Sequence, residues 1–234
     1  MAGNKQQKTI PTVYNMSSSK AREVLWALEE LADTGIKYNV VNLLRRGADT
    51  YKVLKSQFPL GKSPIVTLEP VDGEPEVTYQ ILPNVLTEAR LILQFISDHY
   101  TDGVLSQKFA NGSLVTKVDN VVTFEVIPTM LFFPLRQLTL LMVMPIRNHF
   151  TNDLRVIYQI LEDALSEERP WFSGKKLGLA DFNMVFPMDM AIGRGYIELE
   201  NYPKLAKWHY TVINRPAYRR ALEKGGPYNL STFA

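Results

Sequence analysis

The sequence predicts two folded units, an α/β domain followed by an all-helical domain. The first hundred residues alternate short β-like runs with amphipathic helical stretches, in the order β-α-β and then β-β-α. Beyond about residue 112, apolar residues recur only at helical spacing. Between the two regions, residues 101–112 (TDGVLSQKFANG) have little periodicity and two glycines. We therefore expect domains at 8–100 and 113–234, joined by a linker at 101–112.

A β-α-β unit opens the chain. Residues 12–16 form a short β-like run that is followed at once by three serines, residues 17–19. A helical stretch then continues to Gly35, a residue that commonly ends helices. Its apolar face repeats every three or four residues: Ala21, Val24, Leu25, Leu28, Leu31 and Ala32. Residues 38–43 read as a second strand, and the unit favours parallel pairing with a right-handed crossover.

The second part of the α/β domain is predicted as a hairpin and a helix. A less regular segment at about 45–60 precedes β-like runs at 65–68 and 77–81, which are separated by a turn-rich stretch at 69–76. Beyond Thr87 a second amphipathic helix begins. Its apolar face comprises Ala89, Ile92, Leu93, Ile96 and Tyr100. The complete order is that of a thioredoxin-like domain.

The second half of the chain shows helical periodicity throughout. The repeating apolar positions are Val115, Val118, Val122, Leu154, Ile157, Leu161, Leu165, Leu205 and Trp208. The most apolar stretch, residues 126–145, contains three prolines together with Arg136 and Gln137. Because a membrane helix needs roughly 20 mostly apolar residues and tolerates a central arginine poorly, we expect a buried helix and no membrane association.

Composition excludes several classes of function. Formal net charge is +2, from 26 basic and 24 acidic residues that are scattered along the chain, so we expect no nucleic-acid partner. The chain contains no cysteine, which excludes disulfides and any mechanism that uses a protein thiol. The spacing of the three histidines does not indicate a metal site. A polar N-terminus lacks the apolar core of a signal peptide, which predicts a cytoplasmic protein.

Hydroxyl side chains occupy the turn between the first predicted strand and the first predicted helix. A thiol with a pKa of about 8.5 is only slightly ionised at neutral pH, and lowering that pKa by two units takes about 2.7 kcal/mol. A hydroxyl donor and the positive end of a helix can supply this stabilisation together. Tyr14 and the serines at 17–19 suit that chemistry. A serine here is also explained simply as a helix N-cap.

Two further segments could bind an extended peptide. In residues 59–64 (PLGKSP), a cis Pro64 at the start of a strand would leave backbone groups of Ser63 free for strand addition. Thr87, Glu88 and Ala89 stand at the start of the second helix, where backbone N–H groups attract a carboxylate. Both segments also have ordinary structural explanations. Residues 59–64 could simply form a turn, and Glu88 could simply favour the positive end of the helix dipole.

Five phrases of the chain follow one another in a familiar order. They are SKAREVLWALEEL at 19–31, PLGKSP at 59–64, TEA at 87–89, LAD at 179–181 and RPAYRRALEKGGPY at 215–228. Together they resemble the soluble glutathione transferases over nearly the whole chain, and the fungal Gtt-type and related bacterial groups most of all. The resemblance implies a thioredoxin-like domain that holds glutathione as co-substrate and a helical domain that holds a small apolar electrophile.

The resemblance also implies roles for individual residues. Ser19 would donate its hydroxyl to the glutathione thiolate. The backbone of Ser63, before a cis Pro64, would pair with the cysteinyl unit. Glu88 would meet the γ-glutamyl end, and Lys62 would help to neutralise a glutathione carboxylate.

The chain departs from the family pattern at three places. Ala89 replaces a serine, so that only backbone donors remain for the γ-glutamyl carboxylate. Gly178 stands where a capping serine or threonine is usual. The catalytic hydroxyl is ambiguous as well. Alignment on Trp26 selects Ser19, but Ser17 and Ser18 lie one or two residues away, and Tyr14 sits where tyrosine-type members carry their catalytic hydroxyl.

The expected activity is conjugation of glutathione to apolar electrophiles, a detoxification reaction. The electrophile would lie against Asn15, Met16 and side chains between residues 126 and 144, with Phe132 among them. The resemblance implies a homodimer. Two alternatives remain: a non-catalytic module that binds glutathione or another ligand, and a glutathione-dependent peroxidase, isomerase or dehalogenase on the same scaffold.

Overall fold

A four-stranded sheet and a set of helices make up the part of the chain that the structure describes. The computed structural model describes residues 7–101 and 135–231, and between residues 136 and 151 it describes only the side chains of residues 137 and 139. The elements in order are β1 (Thr9–Met16), α1 (Ala21–Ala32), β2 (Asn39–Leu43), α2 (Thr50–Gln57), β3 (Ile65–Pro70), β4 (Val85–Thr87), α3 (Ala89–Tyr100), α4 (Leu135–Ala164), α5 (Leu179–Gly193), a 3-10 turn (Leu199–Asn201), α6 (Pro203–Ile213) and α7 (Pro216–Gly225).

The sheet has the strand order β2-β1-β3-β4. Strand β1 runs parallel to β2, with Tyr14 opposite Val41, and antiparallel to β3, with Tyr14 opposite Ile65. Strand β4 lies antiparallel to β3 at the edge. The predicted β-α-β opening with parallel pairing is therefore confirmed, as is the predicted thioredoxin-like order followed by a helical part.

Two predictions for the α/β domain were wrong. The segment at 45–60, expected to be irregular, contains helix α2, on which only Thr50 and Leu54 are buried. The second strand of the hairpin is Val85–Thr87 and not residues 77–81. Ile81 is 87% exposed whereas Leu86 is fully buried, so the later segment is the one that contributes to the core.

Helix α1 is the centre of the molecule. All residues from Ala21 to Glu29 are buried, because the helix packs on the sheet, on α3, on α5 and on α7. The predicted apolar face of α3 is confirmed, since all five of its residues are buried. In the helical part, Leu154, Leu161 and Trp208 are buried at the predicted positions. The predicted linker beyond Thr101 and the positions at 115–122 lie outside the described residues.

Helix α5 begins without the usual capping hydroxyl, at Gly178. Ser173, which is buried, accepts a hydrogen bond from the backbone N–H of Ala180 at 3.2 Å, the kind of bond that a capping side chain would make. Asp181 accepts the N–H of Gly178 at 3.1 Å and the indole N–H of Trp208 at 2.9 Å. A neighbouring loop thus supplies what the cap position lacks. Among the described helices, none is long and apolar enough to span a membrane.

Candidate functional site

The run of serines lies where β1 ends and α1 begins. Residues 17–19 are all buried, with exposures between 3% and 7%. The Ser19 hydroxyl accepts the backbone N–H of Ala21 at 3.3 Å, so it sits directly at the positive end of α1. This is the strand, hydroxyl turn and helix start that the sequence indicated.

Ser63 brings a second hydroxyl to the same place. Its peptide bond to Pro64 is cis, and its side chain meets the Ser19 hydroxyl with 3.2 Å between the two oxygens. The Ser63 hydroxyl donates to the carbonyl of Tyr14 at 3.0 Å and accepts the N–H of Met16 at 3.1 Å. Because a hydroxyl has one proton, Ser63 must accept in its bond with Ser19, and Ser19 donates.

The two other serines of the turn have different partners. Ser17 accepts the backbone N–H of Arg45 at 2.9 Å. Ser18 accepts the backbone N–H of Asn229 at 3.0 Å and has a positive φ of 53°. The guanidinium of Arg45 donates to the Ser18 carbonyl at 2.6 Å. Burial lowers the pKa of Arg45, yet an arginine remains charged at neutral pH, so a cation adjoins the turn.

Sequence reasoning missed Arg45 and the side chain of Ser63. Arg45 follows β2 in a segment without a periodic pattern, and the sequence points only to the backbone of Ser63. Both residue types are common in loops, and no spacing in the sequence links them to a serine that lies 26 or 44 positions away.

The start of α3 is an unusual backbone position. Glu88 is exposed and has φ 65° and ψ 112°, a conformation that costs a residue other than glycine about 1–3 kcal/mol. The side-chain amide of Gln80 forms two hydrogen bonds with Thr87, the residue before Glu88. Its oxygen accepts the Thr87 N–H at 2.7 Å, and its nitrogen donates to the Thr87 carbonyl at 3.1 Å. The segment that was wrongly expected to be a strand therefore supports the start of α3. Ala89 is buried behind it.

The remaining predicted site residues are placed as follows. Lys62 is exposed, on the turn that leads into β3. The ring of Tyr14 packs with Met16, Leu54 and Ile65, in a cluster separate from the one that holds Val13 and α1. Since neighbouring residues of a strand point to opposite faces, Tyr14 points away from α1.

The contacts of the described residues do not define the predicted electrophile pocket. Both amide hydrogens of Asn15 are engaged, by the side-chain oxygen of Asn42 at 2.8 Å and by the carbonyl of Gly225 at 2.7 Å. Met16 is 7% exposed within its cluster. Phe132 lies outside the described residues. The pocket stays a prediction.

Among the side chains that the structure describes, no group of three or more histidines, aspartates or glutamates could hold a metal ion. What the described residues bring together is a pair of hydroxyls, a helix N-terminus, a guanidinium and a cis-proline strand edge. Such groups favour an anion through hydrogen bonds and positive potential.

Comparison with known proteins finds glutathione transferases both among sequence relatives and among solved structures of similar fold. Residues 151–216 match the glutathione S-transferase C-terminal domain. The chain is 25% identical over 230 residues to glutathione S-transferase 1 of Saccharomyces cerevisiae, an alignment that covers 91% of this chain and 94% of that relative.

Two solved structures have the same fold. A glutathione S-transferase from Actinobacillus pleuropneumoniae superposes with a TM-score of 0.61 at 23% identity, over 96% of this chain and 97% of that one. A glutathione transferase from Burkholderia graminis, solved with two glutathione molecules per subunit, gives 0.61 at 23% identity, over 92% and 88%. The C-terminal domain match, the relative aligned over nearly its whole length and the shared fold all make the chain similar to the glutathione transferases.

Proposed function

We propose that this protein conjugates glutathione to small apolar electrophiles and that Ser19 stabilises the reacting thiolate. The supporting observation is the meeting of the Ser19 and Ser63 hydroxyls, 3.2 Å apart, at the positive end of α1 beside the cis Ser63–Pro64 bond. An extended cysteinyl unit paired with the backbone of Ser63 brings its sulfur next to Ser19. Tyr14 is less suited, because its ring packs on the other face of β1.

In the proposed reaction the thiol loses its proton to water and the thiolate accepts a hydrogen bond from the Ser19 hydroxyl. The hydroxyl therefore turns from Ser63 towards the sulfur when glutathione binds. The thiolate then forms a carbon–sulfur bond to the electrophile while the carbon–halogen bond of an aryl halide breaks, so that thioether, halide and one proton result. Ser19 keeps its own proton throughout and acts by electrostatic stabilisation.

Arg45 contributes positive potential in the same proposal. Its guanidinium is half-buried and donates to the Ser18 carbonyl, which fixes its charge beside the turn. Charges in a partly buried environment interact more strongly than in water. We infer that Arg45 and the helix dipole share with Ser19 the task of keeping the sulfur ionised.

Replacing Ser19 by alanine tests the assignment. Turnover of an aryl halide should fall at least about tenfold, equivalent to about 1.4 kcal/mol of transition-state stabilisation. Retention on immobilised glutathione should persist, because the backbone contacts of the tripeptide remain. If Ser19→Ala is as active as the wild type while Ser18→Ala or Tyr14→Phe is inactive, the hydroxyl has been assigned wrongly.

A non-catalytic glutathione carrier is the second candidate. Ala89 supports it, since the first residue of α3 has no hydroxyl to offer a γ-glutamyl carboxylate. Wild-type protein that binds glutathione but turns over neither aryl halides nor organic hydroperoxides would favour the carrier. Turnover of the aryl halide excludes it. An Ala89→Ser variant with tighter glutathione binding and unchanged turnover would show what the missing hydroxyl costs.

A further inference from the structure

We propose that residues 226–231, the segment that follows α7, act as a strap that holds the serine turn in its working shape, with Ser18 as the positioning residue. The inference rests on the proposed function, because it concerns the residue before Ser19. It joins the last described part of the helical region to the end of β1, across more than 200 positions of the chain.

The strap is bonded to the turn at one point. The backbone N–H of Asn229 donates to the Ser18 hydroxyl oxygen with 3.0 Å between them. Ser18 itself is 3% exposed and has the left-handed φ of 53°. Serine adopts this conformation only at an energetic cost, so that neighbouring contacts must maintain it.

A second contact holds the other side of the same residue. The Ser18 carbonyl accepts the guanidinium of Arg45 at 2.6 Å. Ser18 is thus fastened through its side chain to the strap and through its backbone to the loop after β2. Its φ and ψ set the direction in which the chain continues, and therefore where the Ser19 hydroxyl lies relative to Ser63.

The strap is itself anchored. The Arg22 guanidinium, on the first turn of α1, donates to the carbonyl of Gly226 at 3.2 Å and lies 4.6 Å from the centre of the Tyr228 ring. The Tyr228 hydroxyl donates to Asp189 of α5 at 2.9 Å. Leu230 is 5% exposed. Because side chains of α1 and α5 both bind the strap, the backbone N–H of Asn229 is held at a fixed position relative to Ser18.

A double-mutant cycle tests the strap in the full-length protein. Asn229→Pro deletes the donor N–H, while Ser18→Gly deletes the acceptor hydroxyl and tolerates the positive φ. Each single variant should lower kcat for the aryl halide about fivefold, the worth of one hydrogen bond, with KM for glutathione little changed. The double variant should lose no more than the worse single one, because both changes remove the same bond.

Asn229→Ala is the matched variant, since it retains the N–H and should stay closer to wild type than Asn229→Pro. A second measurement is the ultraviolet absorbance of the bound thiolate as a function of pH, which should shift to higher pH in Asn229→Pro and Ser18→Gly. If the substitutions only destabilise the fold, the melting temperature should fall while the pH dependence of the thiolate absorbance stays that of the wild type. Circular dichroism melting curves of all variants are recorded alongside.

The outcomes separate the strap from the proposed function. If the wild type binds glutathione without any thiolate band, both proposals fail. If the wild type has the band and both single variants keep its pH dependence and kcat, only the strap is overturned. Multiplying losses in the double variant, or a Ser18→Gly protein without any band, would identify Ser18 as a hydroxyl that acts directly on sulfur and would also overturn the positioning role.

Discussion

The two ends of helix α1 are held in opposite ways. At the N-terminal end, the hydroxyls of residues 17–19 accept single backbone N–H groups, at distances between 2.9 and 3.3 Å. At the C-terminal end, Glu29 and Glu30 form ion pairs with charged side chains of α7 and the residue before it. The serine hydroxyls make single bonds to neutral backbone groups, whereas the two glutamates make strong bonds to charged side chains.

The charged end, which we call the clamp, comprises Glu29, Glu30, Arg215, Arg220 and Lys224. The Arg215 guanidinium binds Glu30 through two bonds, at 2.6 and 2.7 Å. Glu29 is 1% exposed and pairs with Arg220 at 2.6 Å and with Lys224. Bidentate and charge-assisted bonds of this kind are the strong ones.

This difference between the two ends of α1 explains why the family resemblance can be recognised from the sequence. The phrase at 19–31 provides both glutamates of the clamp, and the phrase at 215–228 provides its three cations. Gly225 belongs to the second phrase, and a Cβ there would clash with the Arg22 guanidinium. Much of the recognisable sequence therefore joins two regions of the fold, while the chemistry rests on a few small residues. Stability and activity should respond to different substitutions.

The largest expected effect is on stability, at the clamp. Glu29→Ala should lower the free energy of unfolding by about 3 kcal/mol, at the low end of values for a broken buried ion pair, because Arg220 and Lys224 can turn to water. At a temperature where the variant is folded, kcat should stay near wild type. Urea unfolding and aryl halide turnover measure the two quantities. A variant of full stability, or a folded one with tenfold lower kcat, would contradict the separation.

Acid should weaken the same end of α1. Burial on its own raises the pKa of Glu29, but hydrogen bonds from Lys224, Tyr38 and Arg220 outweigh it and bring the pKa below its ordinary value. A carboxyl of this kind stabilises the fold at pH above its ordinary pKa, and the contribution is lost as the pH falls through the lowered value. Glu29→Gln should therefore be less stable than wild type at neutral pH, with the two melting curves converging in acid. If the melting temperatures of wild type and Glu29→Gln differ by the same amount down to low pH, the ion pairs of Glu29 do not contribute this stability.

The sequence predicted best the elements that bury a repeated set of residues. Helices α1 and α3 place a full apolar face in the core, so their periodicity is strong. Helix α2 buries only Thr50 and Leu54, too few to produce a visible period. The misplaced strand has a similar cause, because β4 is three residues long. Residues 77–81 look more strand-like, yet the loop is closed by Asn84, whose side chain accepts the N–H of Val77 at 2.8 Å.

The candidate site was predictable only in outline. Ser19, the cis Pro64 and Glu88 were singled out because local phrases point to them, and of these predictions the cis peptide bond is confirmed. Ser63's side chain, Arg45 and Asn229 reach the turn through contacts between distant parts of the chain, and none of these residue types is unusual where it stands. Such contacts depend on the assembled fold, so a single sequence does not contain a local signal for them.

The smallest expected effect concerns glutathione binding at the active end. Lys62 is exposed on the turn before the cis proline, and an exposed ion pair with a glutathione carboxylate is worth up to about 1 kcal/mol. Lys62→Met should therefore raise KM for glutathione about two- to fivefold and leave kcat in place, as expected when ground state and transition state lose the same contact. Added salt should narrow the gap between variant and wild type, since screening weakens exposed pairs. Lys207→Met, at an exposed lysine of α6, is the matched control for charge and should not change KM. If Lys62→Met lowers kcat as much as it raises KM, the lysine acts on the reacting thiolate itself. Charged side chains would then contribute to catalysis at the N-terminal end of α1 as well as to stability at its C-terminal end.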